Sequence, residues 1–126
     1  MSTSETDEQV IETTPMVVTI TGESPDGFTY TTEPETVEFH SKKKRVALDC
    51  TIGPGPVSGN FVFSGYNYPV AGVEVDARNA GTSAMKLTFQ FNGQKTGGSL
   101  LFNIIDDTGR ALVVDPQVGN DPEPGL

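Results

Sequence analysis

Asp106, Asp107, Thr108 and Gly109 follow the apolar pair Ile104 and Ile105. A carboxylate at the end of an apolar run is the residue type that pairs with a second carboxylate, the two sharing one proton for acid–base work. His40 is the only histidine and Cys50 the only cysteine. One histidine excludes a multi-histidine metal site and a Ser-His-Asp system with a spare base. His40 alternates outward from Phe39 beside four positive charges and reads as a surface residue. Cys50 is in phase with Val46, Leu48 and Ile52 on the inward face of a predicted strand. Burial raises a thiol's pKa and blocks access, so Cys50 reads as core.

Four further groups carry a chemical suggestion. Lys42, Lys43, Lys44 and Arg45 hold half of the positive charge and read as a solvated turn or a local acidic-partner site. They lack the interleaved aromatics of a nucleic-acid footprint. Phe61, Phe63, Tyr66 and Tyr68 cluster within eight positions, with Tyr66 and Tyr68 placed in a loop where they can grip a peptide or stack on a sugar. Asp106, Asp107, Asp115, Asn120 and Asp121 offer oxygen ligands for calcium, but not at the alternate spacing of an EF-hand. The run Asp115–Pro124 has three x-Pro steps, which favour an extended, preorganised ribbon. Candidate partner-binding residues are Tyr66, Tyr68, Asp115, Pro116, Asn120, Asp121, Pro122, Glu123 and Pro124.

Two resemblances follow. Ile104–Gly109 resembles the Asp-Thr-Gly signature of retroviral-type aspartic proteases. It departs from it in the extra Asp106, in Arg110 where that family wants a small residue, and in lying too near the C-terminus for a flap and second half. The stretch therefore reads as a hairpin turn that needs Gly. The last dozen residues are similar to the small bacterial DP-EP family, named for paired Asp-Pro and Glu-Pro motifs. Asp115-Pro116 would be the first motif, and Glu123-Pro124 or Asp121-Pro122 the second. That resemblance implies a short β-rich chain and supplies no catalytic residue.

The elements that must position these residues are strands. Met85–Asn92 alternates apolar and polar at every step, which gives a strand one greasy and one wet face. No stretch keeps a helical period. Strands are predicted at 16–21, 28–32, 37–40, 45–52, 60–65, 70–76 (weaker), 85–92, 100–106 and 110–115. Ser24–Gly27 closes the first pair as a hairpin and Asp107–Gly109 the last. Gly97 and Gly98 belong to a turn-rich connection. The last two strands are apolar at nearly every position and are expected to be covered on both sides. Eight or nine short strands predict an all-β, two-sheet antiparallel sandwich of Greek-key, immunoglobulin-like type. A jelly roll or small barrel is the alternative. Residues 1–15 are expected to be a disordered acidic tail, 16–115 the domain, and 116–126 an extended Pro-rich acidic tail.

The chain has 126 residues and a net charge of −9, of which residues 1–15 carry −4 and 115–126 carry −3. The acidic ends repel polyanions, so nucleic acid and anionic membrane are not expected partners. A single cysteine makes no internal disulfide, and no basic start precedes an apolar segment, so a cytoplasmic location is the expectation. No cofactor or metal and no catalytic set is predicted. The expected role is non-enzymatic: an interaction or structural module that associates with itself, as a homo-oligomer, or with another protein. A phage or virion accessory protein and a sugar- or calcium-binding sandwich are the alternatives.

Overall fold

A computed structural model describes residues 10–40, 45–78 and 82–122. Among them there is no helix, and eleven strands form a five-stranded sheet and two three-stranded ones. The central pair of the large sheet explains the rest. β4 (Arg45–Ile52) and β7 (Ala84–Gln90) run antiparallel with Val46 opposite Phe89, Leu48 opposite Leu87 and Cys50 opposite Met85. All six are fully or almost fully buried on one face. Burying each Val, Leu, Phe or Met stabilises by roughly 1.5–3 kcal/mol before entropy is charged. On the outer face Ala47 is also buried, because Thr13 and Thr88 flank its small side chain.

β1 (Val10–Ser24) lies beside β4 and is parallel to it, with Met16 opposite Cys50 and Val18 opposite Ile52. Its second half, from Val17 onward, also pairs antiparallel with β2 (Gly27–Glu33). The sheet order is β2-β1-β4-β7-β6, with β6 at Glu74–Arg78. Residues 10–15, expected in a disordered tail, are therefore the first half of a strand. Their polarity misled because the ladder to β4 satisfies the backbone whatever the side chains are. Pro15 is admissible there because β1 is at that point flanked by β4 alone, so one of its sides is a sheet edge.

The other two sheets have the orders β10-β9-β5 and β3-β11-β8, with β3 at Thr36–Phe39 and β5 at Val62–Asn67. They are joined by a long hairpin. β9 (Leu101–Ile105) pairs with β10 (Ala111–Val114), and β8 (Thr96–Ser99) pairs with β11 (Gln117–Asn120) in the same unbroken register. At the junction Leu100 N–H donates to the Pro116 carbonyl at 2.9 Å. Pro116 has no N–H to return the second bond of that pair, which is why the ladder divides there. Every even-numbered residue from Leu112 to Asn120 is buried. The C-terminal stretch expected as a tail is thus the middle strand of a sheet, as far as Asn120.

Other expectations change as well. Two pairings, β1 with β4 and β3 with β11, are parallel, so the arrangement is not purely antiparallel. Among the described residues the strands number eleven, and they do not close into a barrel. Gly97 and Gly98, expected in a turn, are in β8; Tyr66 and Asn67, expected in a loop, end β5. The apolar final hairpin is not covered on both sides, since Val113 is 54% exposed and Asn103 and Ala111 face outward.

One buried cluster draws on all three sheets: Met16, Leu48, Leu87 and Phe89 from the large one, Phe63, Phe102 and Ile104 from the second, Phe39 and Val118 from the third. Phe89 stacks on Phe91 at 5.7 Å and meets the edge of Tyr68 at 5.3 Å. Among the described residues no buried side-chain polar atom lacks a hydrogen-bond partner.

Candidate functional site

The final hairpin turn is built by one carboxylate. Asp106 Oδ1 accepts from the Thr108 N–H at 3.0 Å, the Thr108 hydroxyl at 2.8 Å and the Arg110 N–H at 2.9 Å. The Thr108 hydroxyl, with smaller help from both N–H groups and the Arg110 charge, holds Asp106 below its ordinary 3.8. Gly109 has φ +87°, a left-handed position that favours glycine. Asp-Thr-Gly is a turn here, with its carboxylate committed to backbone.

Arg110 leaves that turn to bind the β1–β2 hairpin. It pairs with Glu23, donates to the Ser24 carbonyl at 2.9 Å, and stacks its guanidinium 4.5 Å over the Phe28 ring. Phe28 in turn meets Phe61 edge-to-face at 5.4 Å. Further along, the Tyr30 hydroxyl donates to Asp115 Oδ1 at 2.9 Å. Burial and that bond raise the Tyr30 hydroxyl above its ordinary 10.0. These contacts fasten β2 along the flank of β10.

Those attachments are made by side chains and leave the backbone edge of β2 away from β1 without a described partner. β2 is the end strand of its sheet, and among the described residues its backbone bonds to no strand other than β1. Thr29, Thr31 and Glu33 are exposed, while Phe28, Tyr30 and Thr32 are half-buried against the core. A cavity of about 310 Å³ opens beside it, lined by Tyr30, Thr31, Thr32, Glu35, Asp115 and Pro116.

The other edges are managed. β6 carries Glu74, Asp76 and Arg78, charges of the kind that discourage edge pairing. β3 and β10 are four residues each, and the residues bounding β10, Arg110 and Asp115, are those tied to the β1–β2 hairpin. β5 is tied across by Phe63 N–H to the Thr82 carbonyl at 2.8 Å and by the Tyr66 hydroxyl to the Val75 carbonyl at 3.2 Å. β2, seven residues long with no Lys, Arg or Pro inside it, shares with β10 only the side-chain ties of Phe28 and Tyr30, and its backbone edge stays unpaired among the described residues.

The structure distributes the sequence-predicted residues widely. Tyr66 is 38% exposed, with its hydroxyl donating to the Val75 carbonyl within β6. Tyr68 is buried, its hydroxyl donating to the Val118 carbonyl at 2.6 Å and its pKa pushed up to about 12 by burial, so it offers no surface to a partner. Asp115 is exposed beside Tyr30, whereas Pro116 and Asn120 are buried in the sheet. Asp121 N–H donates to the Phe39 carbonyl, and His40 Nδ1 to the Asp121 carbonyl, each at 2.8 Å. Pro122 is half-buried; Glu123, Pro124 and Lys42–Lys44 lie outside the described residues. The proposed calcium ligands are not brought together: among the described residues no three His, Cys, Asp or Glu gather as a metal site. Cys50 is buried, and burial together with the Asp49 charge pushes its thiol up to about 12.

A cavity of about 450 Å³ is in the loop after β4, lined by Gly53, Gly55, Val57, Ser58, Asn60, Phe61 and neighbours. Gly53 continues the parallel ladder, donating to the Val18 carbonyl at 2.8 Å, and a Cβ at Gly55 would stand 2.7 Å from the Ile20 carbonyl. Glycine is needed for that close approach. Neither Tyr66 nor Tyr68 lines this cavity, so the sugar-stacking arrangement loses its two aromatics.

No family model matches the chain, and no curated protein matches it. Among the described residues no helix is long and apolar enough to cross a membrane. The unpaired edge was missed in the sequence because Phe28–Thr32 reads as an ordinary hairpin strand; its lack of internal Lys or Pro was the available signal.

Proposed function

We propose that this chain is a non-enzymatic association module, a two-layer immunoglobulin-like β-sandwich that binds protein through the bare edge of β2. The layered reading draws support from the continuous hairpin of residues 96–120, which makes one sheet of β3, β11 with β10, β8 with β9, and β5. That sheet and the five-stranded one contribute their inner faces to one core.

The observation that carries the function is the contrast between edges. Unpaired N–H and C=O groups along a flat strand are a template for another strand. Among the described strands the other edges are charged (β6), four residues long (β3, β8 and β10) or tied across by the Tyr66 hydroxyl (β5), and β2 is the longest, with no charge before its last residue and rich in Thr and aromatic β-formers. The acid–base groups are otherwise engaged: Asp106 holds its turn, Asp115 takes the Tyr30 hydroxyl, and Cys50 is buried.

A photo-crosslinking residue at Thr31, introduced in the producing cell, tests this reading. The expected outcome is a covalent adduct of discrete mass, with this chain or another protein. The same probe at Thr88, on the outer face but away from the edge, is expected to give none. Absence of any discrete adduct at Thr31 overturns the reading.

A further inference from the structure

We infer that the strand received by β2 is β2 of a second copy of this chain, paired antiparallel about a twofold axis through Tyr30. The inference rests on the edge reading above and names its occupant. A twofold interface must be self-complementary, because each patch meets its own image. The segment Gly27-Phe28-Thr29-Tyr30-Thr31-Thr32-Glu33 meets that condition.

With Tyr30 facing its counterpart, Thr29 stands opposite the partner's Thr31 and Phe28 opposite the partner's Thr32. Both threonine pairs lie on the exposed outer face, and such cross-strand pairs are favourable. The strand's only charge, Glu33, falls opposite Gly27, so no like charges oppose across the joint. The half-buried residues Phe28, Tyr30 and Thr32 meet on the inner face, extending the apolar side of each sheet. The bulge between Ile20 and Gly22 is on the β1 side of the hairpin and leaves the free edge of β2 regular.

The net charge of −9 on each copy opposes this association. Screening length falls from about 10 Å at 0.1 M salt to about 3 Å at 1 M. Association between copies therefore strengthens as salt is added, unlike binding to an oppositely charged partner, which weakens.

The test is sedimentation velocity on the full chain from about 10 µM to 1 mM at low and high salt. The expected result is a concentration-dependent shift to twice the monomer mass, with a larger dimer fraction at high salt. Thr29→Lys with Thr31→Lys, which sets lysines directly opposite one another, should give a monomer throughout with an unchanged far-ultraviolet spectrum. Tyr30→Cys should form a disulfide-linked dimer through position 30 under mild oxidant, since Cys50 is buried; it decides the matter if the lysine variant does not fold. A native chain that stays monomeric at every concentration and salt overturns the inference, as does a dimer that survives the two lysines. A monomeric chain that still gives an adduct with a different protein at Thr31 overturns the second copy while leaving the edge reading intact. No adduct at all removes both.

Discussion

At the scale of single residues, the groups that looked reactive are structural. Asp106 accepts three hydrogen bonds within its own turn. Its carboxyl is held below the ordinary value, so the ionised form favours the fold. That contribution is present above the ordinary carboxylate range and is lost as pH falls through the lowered folded value. Asp106→Ala is therefore expected to lower the melting temperature at pH 7, with the deficit relative to native shrinking at low pH, read by calorimetry across about pH 2–7. A variant as stable as native at pH 7 would refute the turn-holding role.

Cys50 has the opposite sign. Its folded thiol titrates near 12 against an ordinary 9.0, so it contributes stability below that ordinary value. Between the two values the unfolded chain loses a proton that the folded one keeps, and stability falls with rising pH. Each unit of separation is worth about 1.4 kcal/mol. Cys50→Ala should show a shallower alkaline decline than native above about pH 9. In the native chain, thiol reagents should modify Cys50 only on unfolding. Rapid modification of the folded protein at pH 8 would contradict its burial.

At the scale of elements, the β8–β11 pairing is the part whose importance is least evident from its residues. Gly119 lies opposite Gly97, and a Cβ on Gly119 would stand 3.0 Å from the Thr96 carbonyl oxygen. Two facing glycines remove the side-chain alternation by which a strand is recognised, which is why Gly97 and Gly98 read as a turn. β11 is nonetheless the middle strand between β3 and β8, and it buries Val118 and Asn120. A chain ending at Val114 would expose both neighbouring strands and remove the buried Pro116. It is expected to lose cooperative thermal unfolding, measured by circular dichroism. A truncated chain that melts as sharply as the full one would show that β11 is dispensable.

Strands with strict alternation were legible to within a residue or two. β4 occupies Arg45–Ile52 as predicted, and β7 and the β9–β10 hairpin lie within a residue or two of expectation. Residues 10–15 and 116–120 were not, for a common physical reason. Their strand identity comes from ladder partners distant in sequence, β4 for the first and β3 and β8 for the second. A backbone ladder is indifferent to whether the side chains are Thr, Glu, Gly or Pro-flanked, provided its donors and acceptors are matched.

At the scale of the whole molecule, the proposed association depends on which edges remain available. The two flanks of the β1–β2 hairpin differ sharply. The β1 flank is paired to β4, whereas on the β2 flank Arg110 and Asp115 hold only the side chains of Phe28 and Tyr30 and the backbone edge pairs with no described strand. A twofold joint there would make one sheet of ten strands from two copies of five. The salt response is the molecular-scale signature, because it reports the repulsion of entire chains rather than one contact.

By itself, the order of residues determined that this is an all-β chain, with its principal core strands, its closing Asp-Thr-Gly turn and a buried, unreactive Cys50. Those features depend on side-chain period and local turn chemistry, which act over a few residues. Only the tertiary structure decided that the two ends of the domain are strands, that two pairings are parallel, and that β2 is the bare edge. Being an edge is a property of what is absent beside a strand, and no residue within the strand encodes its missing neighbour.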